Sequence, residues 1–153
     1  MRFLLAGGGT GGHVNPMLAL AQSLRGQGHE VVTLGTQEGL EARLVPERGF
    51  ELLTIERLPF PRRPNLSAIT FPVRFVRAVI QVIAIIRRQN IDCVVGFGGY
   101  ASAPAYVAGF LANKPVVIHE ANALAGIANR LGAKLTKNVA VAFPNSDLMP
   151  ATI

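Results

Sequence analysis

The strongest constraint on this chain is a strict alternation. Short β-rich apolar runs take turns with longer stretches of helical period along the sequence. The runs cover residues 2–6, 30–35, 50–55, 92–95, 116–118 and 138–141. The intervening stretches predict helices over 14–27, 40–48, 67–89, 102–112 and 125–133. A strand that is apolar at successive positions is apolar on both faces and needs cover on both. Helices between the strands supply that cover, so the pattern predicts an α/β fold, a Rossmann-like doubly wound parallel sheet. Right-handed crossovers then put the first and fourth strands side by side at the switch point.

At 153 residues the chain is the size of one domain, and 1–153 is read as a single unit. Half of its residues are apolar and 16% are charged, which excludes a disordered chain. The one cysteine, Cys93, lies in an apolar run and is expected buried in a strand, with no internal disulfide. The opening apolar run is too short for a signal peptide. No uninterrupted apolar stretch reaches the roughly 20 residues of a membrane span. The densest, 78–86, is flanked by arginines and broken by Gln81.

Two glycine-rich loops carry the chemistry. Gly7-Gly8-Gly9-Thr10-Gly11-Gly12-His13 joins the first strand to the first helix. Glycines let a backbone approach a ligand closely, and a helix entrance offers unpaired N–H groups to an anion. The spacing satisfies G-x-G-x-x-G, a weak signal alone. The second strand ends Leu34-Gly35-Thr36-Gln37, without the acid that holds a dinucleotide ribose. His13 stands where a P-loop needs lysine. The expected ligand is therefore a diphosphate rather than a nicotinamide or a P-loop nucleotide. Gly96-Phe97-Gly98-Gly99-Tyr100, after the fourth strand, is expected across the same crevice. His119-Glu120-Ala121-Asn122 follows the fifth strand at the same edge. His13 and His119 thus fall at strand ends where a histidine can take a proton near neutral pH, whereas His29 lies at the opposite edge. Two histidines, one Glu and a distant Cys93 do not make a zinc site, so no metal and no cofactor are expected.

The net charge of +6 sits in one place. Between residues 57 and 88 there are seven arginines, at 57, 62, 63, 74, 77, 87 and 88, and no acid. Within the helix over 67–89, Arg74, Arg77, Gln81 and Arg88 form a polar stripe beside a wide apolar arc that includes Phe71 and Phe75. Arg62, Arg63, Phe71, Arg74, Phe75 and Arg77 are expected to face an anionic membrane. Nucleic acid is the competing anion. The segment lacks Tyr, Trp and any helix-turn-helix or zinc-knuckle pattern, so nucleic acid is not expected as a partner.

These loops carry a resemblance. Gly8-Gly9-Thr10-Gly11-Gly12-His13 with Pro16, then Gly98-Gly99-Tyr100, His119-Glu120-Ala121-Asn122 and Ala142-Phe143-Pro144, with a weaker echo in Leu44-Val45-Pro46, resemble the MurG family in order and spacing. The resemblance implies the N-terminal half of a GT-B glycosyltransferase. Such enzymes are peripheral on the cytoplasmic side of the bacterial inner membrane. They transfer N-acetylglucosamine from UDP-N-acetylglucosamine to lipid I, an undecaprenyl-diphosphate-linked muramyl-pentapeptide, making lipid II with inversion and without a required metal. It further implies that Thr10, Gly11, Gly12 and Asn122 touch the donor or the new glycosidic centre. His13 is the leading general base, with Glu120 the alternative. Tyr100 and Glu120 would line the acceptor pocket, and Gly98 and Gly99 would help hold the lipid diphosphate. Ala121 stands where the motif often has Gln. The family's C-terminal UDP-sugar domain is expected to be absent from these 153 residues, so the chain alone should turn over nothing. A membrane-anchoring, acceptor-binding module of a split glycosyltransferase is the other reading.

Overall fold

The computed structural model describes residues 1–148. Six strands alternate with five helices: β1 (Arg2–Ala6), α1 (Gly11–Gly26), β2 (Glu30–Gly35), α2 (Glu41–Glu47), β3 (Leu52–Thr54), α3 (Leu66–Arg88), β4 (Cys93–Gly96), α4 (Ser102–Leu111), β5 (Val116–Glu120), α5 (Ile127–Gly132) and β6 (Val139–Val141). The strands form one parallel sheet in the order β3-β2-β1-β4-β5-β6. The predicted neighbour relation is present: Phe3 pairs with Cys93 and Ala6 with Gly96.

Alternation along β1 divides the core in two. Leu4 and Ala6 point to one face, where Val94, Ile118, Val82 and Ile86 bury them. Leu5 points to the other, among Val14, Met17, Val95 and Phe97. Residues from α3 and α4 therefore cover one face, and residues from α1 and α2 the other. Cys93 is buried with the second set, as expected.

The element ends moved where loop and helix compete. Helix α1 begins at Gly11 rather than 14, because the Thr10 carbonyl already accepts from His13 N at 3.1 Å and Val14 N at 3.0 Å. Gly11 and Gly12 are thus the first turn of a helix, not loop. Helix α3 begins at Leu66, well before Pro72, because the Asn65 side chain caps it by accepting from Ala68 N at 3.2 Å. At 23 residues α3 is long and apolar enough to cross a membrane, but Ala78, Val79, Val82 and Ile86 bury its inner side in the core.

Candidate functional site

Three loops meet at the carboxyl edge of three adjacent strands, β1, β4 and β5. The close approach is what the glycines permit. A Cβ on Gly99, where φ is +85°, would lie 2.4 Å from the carbonyl oxygen of Gly8, and one on Gly98 would lie 2.8 Å from His13 Nε2. No side chain fits between the first two loops, so they form one surface.

Above this surface is a cavity of about 630 Å³. His13, Gly98, Gly99 and Tyr100 form one side, the residues from Ala125 to Asn129 another, and Pro59, Phe60 and Arg62, from the proline-rich segment 58–64 between β3 and α3, a third. His13 is anchored from behind. Its Nδ1 lies 3.0 Å from the Gly8 carbonyl and 3.3 Å from Thr10 Oγ1. A carbonyl can only accept, so in neutral His13 the proton sits on Nδ1 and the Nε2 lone pair is left on the Gly98 side.

Each loop is fastened by one hidden polar side chain. Under the second, Ser102 Oγ lies 3.0 Å from its donor Gly98 N, and 2.9 Å from the Ala6 carbonyl. Under the third, Glu120 is 1% exposed and accepts from Asn122 N (2.8 Å), Asn122 Nδ2 (3.0 Å) and Asn129 Nδ2 (2.8 Å). Tyr106 completes this set by donating to Asn129 Oδ1 at 2.6 Å, and burial pushes its phenol well above the usual range. Under the first loop lies Glu41, fully buried, accepting from Gly9 N, Thr36 N and Thr36 Oγ1 at 2.8–2.9 Å.

Several expected site residues stand elsewhere than the sequence placed them. Glu120, read as a pocket wall and alternative base, lies beneath the third loop with its oxygens occupied. It shapes the wall and does not form it. Thr10, Gly12 and Asn122 are exposed at the rim and Gly11 is half-buried, none of them on the cavity wall. Arg62, assigned to the membrane, lines the cavity. Phe71 and Phe75, assigned to lipid, turn inward against the core, in a ring series with Phe60 at 5.4 and 5.7 Å. Arg74 donates from Nε to Glu56 at 3.0 Å, and Gln81 donates to the Thr54 carbonyl at 3.2 Å. That part of the polar stripe therefore packs on the end of β3. Glu56 escaped notice because it falls just outside the acid-free segment. Arg63 and Arg77 remain exposed. The outermost line of α3 is Leu66, Ile69, Val73, Val76 and Ile80, each 56–76% exposed.

Sequence reasoning missed Asn129, Phe60 and Glu41. Asn129 and Phe60 carried no signal in a single sequence. Glu41 reads as an ordinary surface acid in the first turn of a helix. Among the described residues no three His, Cys, Asp or Glu side chains come together.

A parallel Rossmann-like sheet with an open, histidine-bearing crevice at its carboxyl edge is the architecture of a GT-B glycosyltransferase domain. The glycosyltransferase family 28 N-terminal domain matches residues 3–141, and the chain belongs to that family. A relative from Clavibacter sepedonicus is 58% identical over 97% of this chain and 41% of its own length. It is named UDP-N-acetylglucosamine–N-acetylmuramyl-(pentapeptide) pyrophosphoryl-undecaprenol N-acetylglucosamine transferase. One from Leifsonia xyli with the same name is 59% identical over 95% of this chain and 41% of its own length. The crystal structure of Acinetobacter baumannii MurG is 34% identical, with a TM-score of 0.85 over 99% of this chain and 43% of that one. The chain thus spans about 41% of the length of the curated relatives it matches. A UDP-GlcNAc 2-epimerase from Neisseria meningitidis, 16% identical with a TM-score of 0.63 over 90% of this chain and 39% of that one, shares the fold.

Proposed function

We propose that this chain is the acceptor-side domain of a hexosyltransferase that moves N-acetylglucosamine from UDP-N-acetylglucosamine to lipid I. The chemistry is an in-line displacement. His13 Nε2 takes the proton of the acceptor's 4-hydroxyl, and that oxygen bonds to the sugar's C1. The bond from C1 to the diphosphate oxygen breaks, UDP leaves with the electron pair, and the anomeric centre inverts. Tyr100 and Arg62 line the cavity that would take the muramyl diphosphate. A second domain supplies the UDP-sugar site. The observation that carries this reading is His13: anchored through Nδ1, with Nε2 on the Gly98 side, it lines a cavity of substrate size, about 630 Å³.

The cavity opens on the same domain as the exposed apolar line of α3. Lying on the cytoplasmic side of the bacterial inner membrane, that line would meet the acyl layer while Arg63, Arg77, Arg87 and Arg88 meet anionic headgroups.

The test splices this chain in place of the matching segment of the Clavibacter relative and measures transfer to a lipid I analogue. His13→Ala lowers kcat by roughly 10²- to 10⁴-fold. A loss below about tenfold moves the base role to another group.

A further inference from the structure

The buried Glu41 and the pocket-facing His13 grip the two ends of one peptide group. Glu41 Oε2 accepts from the N–H of Gly9 at 2.8 Å, and the carbonyl of the same peptide unit, that of Gly8, lies 3.0 Å from His13 Nδ1. The other carboxylate oxygen is held by Thr36 N and Thr36 Oγ1. No cation is paired with Glu41 among the described residues. Its socket is built from absent side chains: a Cβ on Gly8, Gly35 or Gly39 would fall 2.0–2.4 Å from Glu41 atoms. A fully buried carboxylate surrounded by glycines and satisfied by three donors is costly to place there by chance.

We propose that Glu41 is a positioning residue that acts on His13 through the Gly8–Gly9 peptide. A carboxylate on the N–H end polarises the peptide and makes its carbonyl a stronger acceptor, because hydrogen bonds in a chain reinforce one another. The stronger acceptor holds the proton on Nδ1 and keeps Nε2 available as the base. In the Ser-His-Asp arrangement a carboxylate touches the histidine directly. Here a peptide group stands between them. The relay rests on the base role given to His13 above only for its catalytic consequence. The tautomer it fixes is independent of that reading.

The test reads the tautomer first. The chain has three histidines, so long-range proton–nitrogen NMR at alkaline pH resolves His13 with His29 and His119 as internal references. The wild-type chain shows His13 protonated on Nδ1. Glu41→Gln keeps the shape but removes the charge, and shifts His13 toward the Nε2-protonated form without moving the other two. Thr36→Val, which spares the Gly9 bond, leaves the His13 signal unchanged. A folded E41Q chain whose proportion of the Nδ1–H form equals that of the wild type overturns the relay. Should E41Q fail to fold, wild-type protein still decides: the Gly9 amide shift follows protonation of His13, and a flat Gly9 amide overturns the proposal.

In the spliced enzyme, E41Q lowers kcat by roughly tenfold or more with acceptor KM changed by less than about threefold, and adds nothing to H13A. If H13A costs less than tenfold while the E41Q tautomer change appears, the base assignment fails and the catalytic part of the relay fails with it. If H13A costs its full amount and E41Q moves neither tautomer nor kcat, the relay alone fails.

Discussion

The glycines of the first two loops owe much of their placement to neighbours. Gly8 makes room for a carboxylate, Gly98 for an imidazole and Gly99 for a carbonyl. Gly99→Ala would combine a left-handed backbone with a backbone clash. It should cost more than about 1 kcal/mol in urea unfolding, and should part the two loops. His119 makes a second residue-scale prediction. Its ring lies 5.3 Å from Phe97, and its Nδ1 is buried without a hydrogen-bond partner among the described residues. Burial lowers its pKa, and the Glu120 charge only partly offsets that. The folded state therefore favours neutral His119. Its contribution is intact above the ordinary value of 6.5 and is lost as pH falls through the lowered folded value. Urea midpoints should fall between neutral pH and pH about 5, and His119→Gln should flatten that decline. An unchanged slope in the variant would assign the acid sensitivity elsewhere. At this scale the sequence was legible for His13, which sits where the strand–loop–helix order puts it. It was silent on Glu41 and on the burial of Glu120, because burial of an acid depends on donors distant in the chain or hidden in backbone amides.

At the scale of the element, α3 shows what periodicity can and cannot say. The helix, its arginines and its surplus of apolar surface were readable. Which arc faces outward was not, since Phe71 and Val73 are equally apolar on paper. Packing decided it: the phenylalanines went to the core, Arg74 and Gln81 to the end of β3, and the line from Leu66 to Ile80 to the outside. Val73→Glu with Ile80→Glu should reduce binding to vesicles containing phosphatidylglycerol at least roughly tenfold, since each removes an apolar side chain worth about 1.5–3 kcal/mol when buried. Because both positions are exposed, the unfolding midpoint should change little. Phe71→Glu should do the reverse, unfolding the chain before it tests the membrane. Vesicle binding unaffected by the double charge would remove α3 from the membrane surface.

For the whole molecule, the prediction concerns what one domain can do. The cavity has walls of this chain on three sides and a side open to solvent, where a donor domain would close it. The chain by itself should bind a soluble diphospholipid analogue of the acceptor yet show no transfer from UDP-N-acetylglucosamine. Measurable turnover by these 153 residues would place the sugar-nucleotide site within them. The alternation of apolar runs with helices, by itself, determined the parallel sheet, its strand order and the edge where the loops gather, because crossover handedness and two-sided burial leave few other arrangements. Tertiary structure alone decided which side chains the loops close upon. Hydrogen bonds to buried carboxylates join residues 9, 36 and 41 and residues 120, 122 and 129, and no local pattern encodes partners that only the folded edge brings within 3 Å.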